Sequence, residues 1–175
     1  MEALRIKRAA LGDVHPSVAT TRNNMGNVYA SQGRYAEALE AYEYALRIRR
    51  AALGDDHPEL GSTRNNIGAV YTVQGRYAEA LETYVEALRV RRAKLGDDHP
   101  DVATTLNNMA IVYRHQGRFA EALEAYEEAL RIYSAVFRED HPHVAGVRRN
   151  IEIAKKRMHE EQSDAGAPST GGSNP

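Results

Sequence analysis

The stretch Asp56–Asp97, DHPELGSTRNNIGAVYTVQGRYAEALETYVEALRVRRAKLGD, decides the fold, because near copies of it stand on both sides. His-Pro recurs at His15-Pro16, His57-Pro58, His99-Pro100 and His141-Pro142, 42 residues apart each time. GRYAEALEAYEYALRI, GRYAEALETYVEALRV and GRFAEALEAYEEALRI begin at Gly33, Gly75 and Gly117. A fixed period of this size is the signature of a solenoid, in which each unit buries its apolar face against its neighbours. Such a pattern points away from an enzyme pocket and towards an extended binding surface.

Each unit reads as two helices. Proline is favoured at the first helical position, and a polar residue before it can cap the free amides. The spacing therefore predicts a first helix over about 58–73, a turn at Gln74-Gly75, and a second helix over about 76–95 closed by Gly96. Gly68 sits mid-helix, where glycine costs about 1 kcal/mol against alanine. Its equivalents are Gly26 and Ala110, so another element is expected to approach closely there. Ala80 and Ala87, with Tyr77 and Tyr84, recur seven apart on the second helix. They are read as core packing, because the spacing matches the amphipathic period.

Three full hairpins fit: 14–55, 56–97 and 98–139. Residues 1–13 align with the end of a second helix, so a partial repeat is expected there. Residues 140–161 align with a first helix. In that segment Gly68 becomes Glu152 and Tyr71 becomes Lys155, the polar replacement a capping helix needs. Residues 162–175 are rich in Gly, Pro and Ser and are expected to be a disordered tail.

Composition narrows the function classes. Lys plus Arg is 23 and Asp plus Glu is 24, a net charge of -1. Phosphate binding wants a clear basic excess, so nucleic acid is not an expected partner. The chain has no cysteine, which removes disulfides and thiolate metal sites and agrees with a cytoplasmic setting. No window approaches 18 continuous apolar residues, so membrane insertion is not expected. The N-terminus lacks the apolar core of a signal peptide. No cofactor or metal is expected either. Four of the seven histidines are the repeat markers, too far apart along a stack to share a metal about 2 Å from each.

Met25-Gly26, Tyr29, Ala38, Tyr42 and Ala45, with their equivalents in the next two units, resemble the tetratricopeptide repeat family. LGDDHPDVATTLNNMA (95–110) and QGRFAEA (116–122) resemble its long, 42-residue version, the repeats of kinesin light chains. The family's first aromatic position is held here by Arg22, Arg64 and Leu106, a departure. The resemblance implies an all-α fold, a tetratricopeptide-like right-handed solenoid of antiparallel helix hairpins with first helices lining the concave side. It implies a protein-interaction scaffold rather than an enzyme.

The groove residues follow from helical spacing on those first helices. Asparagine pairs recur at Asn23-Asn24, Asn65-Asn66 and Asn107-Asn108, and Asn150 follows in the last helix. Asparagine is a poor mid-helix choice, since its side chain competes for backbone bonds. Two explanations stand open. A row of carboxamides can clamp the backbone of an extended peptide, as in the families this chain resembles, or one of each pair bonds between neighbouring helices and stabilises the stack. The far end of the groove carries Arg114, His115, Arg149, Lys156 and Arg157, which would steer an acidic peptide. The resemblance implies the same, since kinesin light chain grooves accept peptides combining an aromatic with acidic residues. The candidate peptide-binding residues are thus Asn23, Asn27, Asn65, Asn66, Asn107, Asn108, Ile111, Arg114, His115, Arg149 and Lys156. The carboxylate clamp of chaperone-binding members is not reproduced, because Asn23, Thr104 and Asn108 stand where basic residues belong. Two other readings are self-association through the incomplete N-terminal hairpin and an engineered repeat protein without a natural ligand.

Overall fold

The computed structural model describes residues 15–165. Seven helices make up the described residues: α1 Pro16–Ser31, α2 Tyr35–Leu53, α3 Pro58–Val73, α4 Tyr77–Leu95, α5 Pro100–His115, α6 Phe119–Val136 and α7 Pro142–Ala165. They form three hairpins and a final first helix, an all-α solenoid. The partial repeat expected over 1–13 and most of the expected tail lie outside the described residues. None of the described helices is long and apolar enough to cross a membrane.

The repeated His-Pro starts first helices, as its position requires. Each histidine is the N-cap and its Nδ1 accepts a backbone N–H two residues on: Ser17 at 3.2 Å, Glu59 at 3.3 Å, Asp101 at 3.1 Å and His143 at 3.2 Å. The following proline lacks the amide that would otherwise be orphaned. At the hairpin turn, Gly33, Gly75 and Gly117 have φ of 74°, 73° and 74°, a region that side chains with a Cβ avoid.

The QGR tripeptide clamps this turn. Arg76 lies over the Tyr71 ring at 4.2 Å, donates to Gln74 Oε1 at 3.2 Å and pairs with Glu79 at the start of the second helix. Arg34 with Tyr29, Gln32 and Glu37, and Arg118 with Tyr113, Gln116 and Glu121, repeat the arrangement. The motif is thus explained by turn geometry.

Gly26 and Gly68 are explained by packing. A Cβ on Gly68 would lie 2.7 Å from the Tyr84 ring, and one on Gly26 would lie 2.5 Å from the Tyr42 ring. The second-helix tyrosine lies against a bare patch of the first helix, and Tyr84 is 1% exposed. Ala38, Ala80 and Ala122, with Ala45, Ala87 and Ala129, are fully buried on the same helices. At the departed aromatic position, Arg22 lies over the Tyr44 ring at 4.5 Å, while Arg64 and Leu106 are buried.

Repeats are joined by buried arginines. Arg49 Nε pairs with Glu59 at 2.9 Å and its Nη1 donates to the Thr63 hydroxyl; Arg91 Nη1 donates to the Asp101 carbonyl at 2.8 Å and Thr105 Oγ1 at 2.6 Å. Each ties the last turns of a second helix to the next first helix. Tyr133 takes the same place in the third repeat, but its hydroxyl meets Thr104 of its own repeat at 2.8 Å. The facing residue on α7 is Val147, so the last junction is apolar, built from Ile132, Tyr133, Val144, Val147, Ile151 and Ala154. α7 runs on to Ala165, past the end expected at 161. Ser163 Oγ returns a hydrogen bond to the His159 carbonyl at 2.9 Å, which absorbs the hydroxyl that marked this segment as tail.

First helices approach first helices closely across each boundary (α1 with α3, α3 with α5, α5 with α7), whereas the second helices stand farther apart, α4 and α6 reaching each other through the long side chains of Arg92 and Glu128 at 2.7 Å. The array therefore bends with the first helices on its inner side.

Candidate functional site

The inner surface carries a ladder of carboxamides. Asn66 Nδ2 donates to Asn23 Oδ1 at 3.4 Å and Asn27 Oδ1 at 3.2 Å. Asn108 Nδ2 donates to Asn65 Oδ1 at 3.2 Å, and Asn150 Nδ2 to Asn107 Oδ1 at 3.3 Å. Asn107 Nδ2 reaches Asn108 Oδ1 at 3.5 Å. The second asparagine of one repeat therefore binds the first asparagine of the repeat before it. A stacking role for the pairs is thus real. It occupies the carbonyl of the first asparagine, and the amide groups of Asn23 and Asn65 are not among the donors to these rungs.

A second repeating feature lies beside the ladder, at each junction between repeats. Between the first and second repeats, Ala30, Tyr35, Tyr42, Asn66, Ala69, Val70 and Val73 line a cleft of ≈ 180 Å³. It is apolar and built largely from small residues, with Val73 65% exposed at its edge. The Tyr42 hydroxyl at its floor donates to Asn27 Oδ1 at 2.7 Å.

Shifting these positions by one period gives Thr72, Tyr77, Tyr84, Asn108, Ile111, Val112 and His115. Ile111 is half-buried and packs against the third-repeat core. The His115 and Tyr77 rings are stacked, with centroids 5.7 Å apart and planes at 8°. Partial burial and the neighbouring Arg114 charge push the imidazole below the usual histidine range, which disfavours its cationic form.

A second shift gives Arg114, Phe119, Tyr126, Asn150, Ile153, Ala154 and Arg157. Arg114, Phe119 and Arg157 here line a cleft of ≈ 410 Å³ with His115, Gly117, Glu160 and Glu161. The Tyr126 hydroxyl and Arg114 Nε are buried, with the Arg114 side chain against that hydroxyl. Burial raises the Tyr126 phenol above its ordinary range, and Arg114 offsets part of that rise.

Of the expected basic residues, Arg149 is exposed, one period on from Asn107. Lys156 lies 3.8 Å from Glu160, and Arg157 lies 3.4 Å from it. Glu160 and Glu161 therefore balance the cations at this end locally, a feature the sequence reading missed. The i,i+4 spacing of Lys156 and Glu160 was its signal. The aromatic ladder, expected chiefly as core packing, also reaches the inner surface, where Tyr35 and Tyr42 line the first cleft. Among the described residues, no group of three or more His, Cys, Asp or Glu could hold a metal ion.

A model of the tetratricopeptide repeat family matches residues 1–51, 17–93, 59–135 and 101–165. A search of curated proteins finds no match. Among solved structures, BtubC (BKLC) from P. vanneervenii is similar, with 18% identity over 92% of this chain and 70% of that one and a TM-score of 0.67. A Podosopora anserina structure of nearly identical TPR-like repeats, named for a kinesin light chain, is 22% identical over 93% of this chain and 77% of its own, with a TM-score of 0.72. A single-substitution variant of that protein gives 0.73 at 22% identity, over 93% of this chain and 76% of its own.

Proposed function

This chain belongs to the tetratricopeptide repeat family, a scaffold for protein or peptide partners and not an enzyme, and on that premise we propose that its inner groove binds an extended, acidic peptide. The supporting observation is the gradient among equivalent junction clefts: apolar and small between the first two repeats, lined by Arg114 and Arg157 at the end. One apolar side chain of the peptide enters the first cleft. Its carboxylates reach Arg114, Arg149 and Lys156. The amides of Asn23, Asn65 and Asn107, with Asn27, Asn66 and Asn108 beside them, hold its backbone. Ile111 and His115 form the middle of the floor. The kinesin light chain named among similar structures accords with a cargo-type role for this groove.

The test is a peptide library screened against the wild-type chain and an Asn65→Ala, Asn107→Ala variant, with thermal unfolding measured on both. Selective loss of peptide binding by a folded variant supports the clamp. Equal binding by both sinks it.

A second reading, self-association through the incomplete N-terminal hairpin, draws on Val28 of α1. It is 53% exposed, whereas Val70 and Val112 in the same register are buried. Sedimentation at several concentrations decides it, since a monomer throughout removes the reading.

A further inference from the structure

We propose that His115 sets the spacing at which the groove reads its ligand, by stacking its own imidazole on the aromatic of the middle of three register-equivalent junctions. The inference rests on the peptide reading above and adds to it which residue determines specificity.

One register position decides the character of each junction. It is Val73 in the first, His115 in the second and Arg157 in the third. The aromatic facing it is Tyr35, Tyr77 and Phe119 in turn. In the first junction the valine is small and 65% exposed, and an open apolar cleft remains beside Tyr35. In the second, the His115 ring lies parallel to Tyr77 at 5.7 Å. An aromatic ligand side chain entering from the groove would take that same position against the tyrosine face. In the third, the cleft is open again but carries Arg114 and Arg157.

The groove therefore offers an apolar cleft and a charged cleft two junctions apart, and between them a tyrosine already stacked by an exposed imidazole. Packed helices lie about 8–10 Å apart, so two junctions span about 20 Å. An extended chain rises about 3.3 Å per residue, which places the two anchors about six residues apart. A chain with all three clefts open would accept anchors at half that separation as well.

The experiment uses synthetic fluorescein-labelled peptides on a Gly-Ser backbone. Each carries one Trp and one pair of Asp residues, separated by increasing numbers of spacer residues, in both orders. Anisotropy titrations are run on the wild-type chain, His115→Ala and His115→Phe, with circular dichroism confirming that all three are folded. The wild-type chain is expected to prefer the wide separation by about tenfold, the worth of one buried aromatic anchor. His115→Ala is expected to bind short-separation peptides about as well, and His115→Phe, which keeps a ring on Tyr77, to retain the wild-type preference. The same optimum in wild type and His115→Ala overturns the inference while leaving peptide binding intact. A wild-type optimum at the short separation overturns it too. Saturable binding of none of these peptides by the wild-type chain overturns the inference and the acidic-peptide reading together.

Discussion

Arg91 on α4 donates from Nη1 to Thr105 on α5 at 2.6 Å, across the boundary between the second and third repeats and with only 4% of the arginine exposed. The same guanidinium reaches the Asp101 carbonyl at 2.8 Å. Burial pushes it below its usual range, and Asp101 opposes that shift. A charge so placed is retained only because these acceptors meet it. Arg91→Ala removes both the bonds and the buried stem, and is expected to lower unfolding stability by about 2–4 kcal/mol. Thr105→Val, which leaves the Asp101 carbonyl in place, should cost about 1 kcal/mol. Urea unfolding of both variants ranks them, and equal losses contradict the assignment.

The four histidine caps make a separable prediction. His57→Ala removes the Nδ1 acceptor for the Glu59 amide and is expected to cost about 1 kcal/mol, whereas His57→Asn supplies a side-chain oxygen in its place and should cost less. His99 is expected to behave alike, because its cap is built in the same way. Thermal melts of the Ala and Asn pair at each position check this. A loss that Asn fails to reduce assigns the histidine to packing instead.

High pH acts through the second-helix tyrosines. Burial pushes the phenols of Tyr42 and Tyr84 up to about 12, against about 10 in an unfolded chain. Between those values the unfolded state has released protons that the folded state keeps. Stability falls with rising pH wherever the unfolded state binds fewer protons. The contribution is therefore complete below about pH 10 and is lost as pH climbs towards 12. Tyrosinate absorbance should show a late-titrating class that Tyr84→Phe reduces. A single class near 10 in the folded protein contradicts the prediction.

Glu160 and Glu161 should weaken the pull of the groove's basic end on an acidic ligand. Removing their charges with Glu160→Gln and Glu161→Gln is expected to raise affinity for acidic peptides about three- to tenfold at low salt, a gain that fades as salt screens it. Titrations at two ionic strengths measure it. An unchanged affinity at low salt shows that the carboxylates do not compete.

Much of the fold was legible because its determinants are local. The His-Pro marker carries its own instruction: proline fixes the first turn and the preceding side chain caps it. Gly68 was readable as a close approach, and the Tyr84 ring proved to be what approaches. Arg49 and Arg91 were not legible. They sit in runs of charge that read as a solvated face, and only the arrival of Thr63 and Thr105 from the next repeat gives them acceptors. The asparagine pairs were half legible. Their position on the inner side follows from helical spacing, but which carboxamide faces a neighbour depends on the offset between adjacent first helices, and that offset is a tertiary quantity. The junction clefts depend on it too. Each draws residues from two repeats, so no single unit of sequence displays one.

The contact pattern between repeats has a mechanical consequence. On the outer side, where the second helices stand farther apart and α4 meets α6 through the Arg92–Glu128 ion pair, the boundaries are seams that can widen or narrow without breaking a helix. On the inner side, the same bending must stretch or compress the bonds from Asn66, Asn108 and Asn150 to the preceding repeat. These bonds act as tie rods across the seams. A ligand that changes how far the array bends does part of its work against them.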